Sequence, residues 1–197
     1  MAYSDFTLTK LKKQFGLQQK RVELFNNIVE IAPSQHLAFD IEEGSRMPKN
    51  TEKARSENLV SPVLKETFRH NKEKLTLFPG YGFNVDSEKG LNGNCDCIIA
   101  GQGDIMELIN PIICLVEAKN GVIEDGYGQC GAEMYAARLY NEDLGTPIPE
   151  MYGIVTNGEE WQFMMLKEQM IYFEAKTVSL DRLPRILGIL QHIVDKN

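Results

Sequence analysis

The chain has 197 residues, 43% of them hydrophobic, which is enough for one domain with an ordinary core. No run approaches the roughly 20 apolar residues that a membrane helix needs, and the charged stretch from Met1 to Lys20 lacks the apolar segment of a signal peptide. A cytoplasmic protein with no membrane partner is the expectation. The net charge is −7, the wrong sign on average for a nucleic-acid binder, so the distribution of charge carries more information than its sum. Residues 46–74 hold eight Lys/Arg against four acids, whereas residues 84–160 hold three against fourteen. That division suits a protein that touches phosphates on one side and holds metal on the other.

In chain order, residues 5–32 predict helix. Leu8, Leu11 and Phe15, then Val22, Phe25, Ile28 and Val29, recur at helical spacing, with Gly16 separating two pieces. Residues 33–50, with Pro33, Gly44 and Pro48, read as loop or linker. Residues 1–50 are therefore expected to form an N-terminal helical arm and linker without a catalytic signal, and residues 51–197 the main domain. Glu57, Val60, Leu64 and Phe68 share one stripe of a helix over 53–71, which turns the acid inward; Pro62 makes that helix start late or kink. Strand-like runs follow at 77–86, 94–101, 112–119, 151–156, 160–166 and 170–176. Thr156-Asn157-Gly158-Glu159 is a hairpin signal between two of them. A helix is predicted over 126–141, with Gln129, Ala132, Ala136 and Leu139 on one face, and a last helix over 180–194. The order αβββαβ, then a hairpin and a terminal helix, predicts an α/β protein. Its central mixed sheet has one parallel pair across the 112–156 crossover and is flanked by helices.

The informative stretch is Ile113-Cys114-Leu115-Val116-Glu117-Ala118-Lys119-Asn120. It is an apolar strand ending in a carboxylate, a small residue and an ammonium, with both charges on one face. Asp96 sits in a second apolar run, Cys95 to Ala100. Two acids on neighbouring strands beside a lysine are the equipment for phosphodiester hydrolysis. Mg²⁺ on carboxylates activates water and neutralises phosphoryl charge, and a lysine orients the water. Asp96, Glu117 and Glu57 are the candidate metal ligands, with the backbone carbonyl of Ala118 as a further oxygen. Lys119 is the candidate catalytic cation, and Gln129 is placed to hold the water or a phosphate oxygen. Glu-x-Lys by itself is weak, because Glu174-Ala175-Lys176 repeats it. That second copy lacks a preceding acid in an apolar strand and reads as a solvated strand face.

Other residues carry less. Cys95 and Cys97 are expected on one strand face, and all four cysteines read as small buried hydrophobes in a reducing compartment. His36, His70 and His192 are scattered, and no Ser/His/Asp set is readable. Trp161 reads as a packing residue.

The ordered set of a helical Glu, Gly93-Asn94-Cys95-Asp96, Val116-Glu117-Ala118-Lys119, Gly128-Gln129 and Tyr152 to Trp161 resembles the PD-(D/E)XK nuclease superfamily. Within it, the chain is similar to the N-terminal nuclease domain of type I restriction R subunits and their stand-alone relatives. The resemblance covers about residues 52–166. It implies a restriction-endonuclease-like fold and cleavage of DNA dependent on Mg²⁺, with Mn²⁺ as a substitute. It also implies metal ligands at Asp96 and Glu117, catalytic Lys119, and support from Glu57 and Gln129. Cys95 stands where the superfamily's name has proline. No G-x-x-x-x-G-K-[ST] motif occurs, so a helicase or specificity function would belong to a separate partner. A homodimer would suit double-strand cutting. The alternative reading is a catalytically silent nuclease-fold protein that acts as an interaction module, consistent with the net −7.

Overall fold

The computed structural model describes residues 1–103, 107–108 and 110–197. Its centre is an eight-stranded mixed sheet flanked by helices. Seven strands run in the order β1 (Gln18–Val22), β7 (Met170–Glu174), β6 (Glu160–Lys167), β5 (Met151–Thr156), β4 (Ile112–Ala118), β3 (Leu91–Gly101) and β2 (Leu75–Asp86). The short β8 (Val178–Ser179) pairs with β6. β2, β3 and β4 are antiparallel neighbours, and β4 and β5 are parallel, as their spacing predicts. The sheet divides the core into two apolar layers. One holds Ile98, Leu115 and Met134 under α1 (Leu8–Phe15) and α5 (Tyr127–Asp143). The other holds Val116, Ile154 and Trp161 under α2 (Gln35–Arg46), α4 (Ser61–His70) and α6 (Leu183–Asp195).

The first 50 residues depart from expectation. The predicted helix over 5–32 is a short helix followed by a strand. Thr7 Oγ1 caps α1 by accepting from the Lys10 N–H, and Gly16, at φ +73°, ends it. The chain then enters β1, which lies parallel to β7. Tyr3, Phe6, Leu11 and Leu17 are buried in the core, so this segment is built into the sheet layer it covers. Residues 35–46, expected as loop, form α2, capped by Ser34. Glu66 on α4, itself buried, accepts from the Ser34 N–H at 2.9 Å and ties the start of α2 to α4.

The helix expected over 53–71 is built in three pieces. After α3 (Glu52–Arg55) the backbone widens into a π turn at Ser56–Val60, where the Ser61 N–H reaches Ser56 O, and then enters α4. Pro62 has no N–H to return to the Asn58 carbonyl. That carbonyl instead lies beside Gly44 of α2, so close that a Cβ there would stand 2.2 Å from it. The kink announced by Pro62 is thus a local widening, within which Glu57 is exposed.

α5 is held over the sheet by Asn141. This buried amide accepts from the Ile112 N–H at 2.8 Å and donates to the Ile112 carbonyl at 2.7 Å. The bond anchors the helix at the start of β4, so its first turns lie over the end of that strand. Trp161 is fully buried and donates to the Gly158 carbonyl inside the predicted hairpin, confirming a packing role.

Candidate active site at the ends of β3 and β4

Cys97 pairs with Val116 and Ile98 with Leu115, which brings Asp96, midway along β3, beside Glu117 near the end of β4. Alternation along β3 is broken there. Cys95 packs in the α5 layer and Cys97 in the α4 layer, so they do not share a face as the sequence pattern predicts. The irregularity lies at Asp96, beside Gly80 on β2, whose φ of +60° no β-branched side chain adopts readily. Its effect is to turn the Asp96 carboxylate across to β4, where Oδ2 accepts the Ala118 N–H at 2.8 Å.

Glu117 is 1% exposed. Its Oε1 accepts from Lys119 Nζ at 2.5 Å, and its Oε2 is buried with no partner. Lys119 Nζ also donates to Gln129 Oε1 at 3.2 Å, and Gln129 Nε2 donates to Glu133 Oε1 at 3.1 Å. Gly126 keeps this arrangement open, since a Cβ there would stand 3.0 Å from Lys119 Cε. The result is a chain of contacts, Glu117–Lys119–Gln129–Glu133, running from β4 onto α5.

The electrostatics follow from burial and like charge. Desolvation, reinforced by the Asp96 charge and opposed by Lys119, pushes Glu117 up to about 8. Burial also raises Asp96, against the Ala118 N–H and the Lys119 ammonium. Glu133, fully buried, is raised well above the carboxylate range by desolvation and then by Glu117; its Oε2 has no partner either. Desolvation acts to lower Lys119, but the Glu117 carboxylate outweighs it and holds the ammonium above its ordinary value.

Of the residues singled out from the sequence, Asp96, Glu117, Ala118, Lys119 and Gln129 come together. Glu57 does not join them. It is exposed, 3.8 Å from Lys53, and faces the cleft beside Asp96 without completing a carboxylate group. The acid from this helical segment whose charge reaches both Glu117 and Lys119 is Glu52, in the first turn of α3. Among the described residues, no three His, Cys, Asp or Glu side chains are grouped as a metal-holding cluster. Two acids near the candidate site escaped the sequence reading. Glu133 carried a signal, lying one helical turn after Gln129; Glu52 carried only its place after the Thr51 cap.

The second Glu-x-Lys differs from expectation. Glu174 is buried, and its Oε2 accepts the N–H groups of Leu24 at 2.7 Å and Phe25 at 3.1 Å. It is a structural clamp on the segment after β1, whereas Lys176 is exposed.

No protein-family model matches the chain, and no curated protein matches it. One similar solved structure is a fragment from Vibrio vulnificus YJ016 described as an HsdR subunit of a type I restriction enzyme. It is 22% identical, with a TM-score of 0.37, and the match covers 70% of this chain and 25% of that one. The chain thus spans a quarter of that protein's length. The functional argument rests on the site itself.

Proposed function

We propose that the protein is a metal-dependent nuclease of restriction-endonuclease-like fold that hydrolyses DNA phosphodiester bonds. The observation that carries this reading is the buried Glu117 Oε2, which has no partner although its other oxygen is bound to Lys119. A desolvated carboxylate with an orphan oxygen, beside a second carboxylate, takes up either a proton or a cation. Asp96, Glu117 and the Ala118 carbonyl are hard oxygen donors suited to Mg²⁺, which keeps its other positions for water and phosphate. Bound there, the ion supplies a Lewis acid and an activated water.

The chain's own groups do the rest. Glu117 and Gln129 hold the Lys119 ammonium in place. From that position the ammonium donates to the attacking water or to a phosphoryl oxygen as negative charge grows on it. Glu133 anchors Gln129 from the next turn of α5. Purified protein should nick plasmid DNA in Mg²⁺ or Mn²⁺ and not in EDTA. Lys119→Ala should lower the nicking rate at least about a hundredfold while leaving the far-UV circular dichroism unchanged. A Lys119→Ala protein that cuts like wild type would falsify the assignment.

The second reading, a silent interaction module on the same fold, is favoured by one observation: no third acid completes a metal cluster among the described residues. Calorimetric titration with Mg²⁺ and Mn²⁺ separates the two. Absence of binding at millimolar metal, with DNA present, selects the silent module.

A further inference from the structure

Beside Asp96 the sheet opens into a cleft of about 750 Å³ between α3, the π turn and α4 on one side and β2 on the other. Apolar side chains dominate its walls, and Glu52, Glu57 and Asp96 also line it. Val60, Leu64 and Phe68 line the helical side, and Leu75, Leu77 and Pro79 line the strand side. Lys53, Lys65 and Lys72 stand along it, all exposed. Lys65 and Lys72 make no ion pair among the described residues. Apolar walls facing each other below the unpaired ammonium groups of Lys65 and Lys72, with Lys53 paired to Glu57, do not match the outside of a duplex. Stacked base pairs present only their edges in the grooves, and their faces are covered. The volume is that of a small-ligand site, about 300–1,000 Å³, and so matches one or two nucleotides.

We infer that this cleft receives an unpaired stretch of nucleic acid, with bases between the α4 and β2 walls and phosphates on Lys53, Lys65 and Lys72. The inference rests on the nuclease reading for its choice of ligand. Sequence-tolerant single-strand binding combines cations that follow the backbone with an aromatic face on which a base stacks; here Lys65 and Lys72 supply the cations and Phe68 is the aromatic lining the cleft. Asp96 and Ala118 line the cleft, whereas Glu117, Lys119 and Gln129 do not, so a strand lying in it passes beside the proposed cutting site on the Asp96 side. The preferred substrate is therefore an overhang, a flap or a frayed end, and an intact blunt duplex is a poor one.

Fluorescence anisotropy in EDTA tests this with three labelled probes: a twelve-nucleotide DNA strand, the RNA strand of the same sequence, and the blunt DNA duplex. At least one single strand should bind ten times more tightly than the duplex, and the DNA-to-RNA ratio identifies the natural strand. The Lys65→Glu/Lys72→Glu protein should bind that strand at least five times more weakly. Losing two phosphate contacts should also reduce the slope of log K against log salt by about 1.4. Equal or tighter duplex binding, or unchanged strand binding in the double variant, overturns the inference. EDTA separates binding from cutting. Strand binding without Mg²⁺-dependent nicking upholds the cleft and defeats the nuclease reading; nicking with duplex-preferred binding does the reverse.

Discussion

Glu117 lies in the interior with Asp96 and Glu133 as like-charged neighbours and Lys119 as its one ion-pair partner. Burial first, and then the Asp96 charge, moves it from the ordinary 4.5 to about 8. Between those values the folded protein holds a proton that the unfolded chain has released. Stability due to this group is complete below the lower value and is lost as pH rises through about 8. Glu117→Gln removes that loss. In EDTA its Tm should exceed wild type by at least about 2 °C at pH 8.5, with a smaller difference at pH 5. Thermal unfolding at the two pH values checks this, and a difference that does not grow with pH would mean that the carboxylate's charge is not the source of the strain. On the proposed function, the same orphan oxygen that destabilises the metal-free protein is the one offered to a cation. The sequence could place Glu117 and Lys119 on one face. It could not tell them from Glu174 and Lys176 by spacing, and the difference lies in what faces each acid: Gln129 and Glu133 lie beyond one, and backbone N–H groups bind the other.

Among the elements, α5 does the most to position the site, and its seating depends on a close approach by the N-terminal segment. A Cβ at Gly128 would stand 2.2 Å from the Phe6 carbonyl oxygen and 2.5 Å from Thr7 Cα, both backbone atoms that cannot rotate away. In an isolated helix, Gly→Ala gains about 1 kcal/mol. Here the overlap opposes that gain, and overpacking costs about 1–3 kcal/mol. Gly128→Ala should therefore be destabilised by up to about 2 kcal/mol, seen as a lower urea midpoint at unchanged slope. A more stable variant would show that the Phe6–Thr7 backbone does not lie against α5. Helices and strands with internal sequence signals were legible: α5 and α6 by their small-residue and apolar faces, β3 to β6 by their apolar runs. The π turn was visible only as a proline that had to disturb something, since its direction was set by Gly44 on another helix.

On the scale of the whole molecule, the sheet is closed at one edge by β1, whose partner β7 lies about 150 residues later. β1 reads Gln18-Gln19-Lys20-Arg21-Val22, and its first four side chains are exposed. An edge strand that buries almost nothing leaves no period-two pattern, which is why the helical spacing of the flanking apolar residues prevailed in the reading. Deleting residues 1–22 would uncover the β7 edge and strip Tyr3, Phe6, Leu11 and Leu17 from the α5 layer. The truncated protein should lose its cooperative melt and elute as aggregate in size-exclusion chromatography, because an open strand edge pairs with other chains. A monomer with an unchanged Tm would make the segment a mere appendage.

By itself the sequence determined the α/β class, the antiparallel run into a parallel crossover, and the meeting of Asp96, Glu117, Lys119 and Gln129. These depend on short-range periodicity and on strands close enough in the chain to pair only one way. Only the tertiary structure decided that Glu57 forms no carboxylate group with Asp96 and Glu117 and that the buried Glu133 accepts from Gln129. It alone also decided that Asp96 turns across to Ala118 at a break in β3, and that Glu174 is a clamp. Those outcomes depend on which distant backbone or charge faces each carboxylate, and burial, which sets the cost of every unpaired oxygen, is a property of the packed molecule.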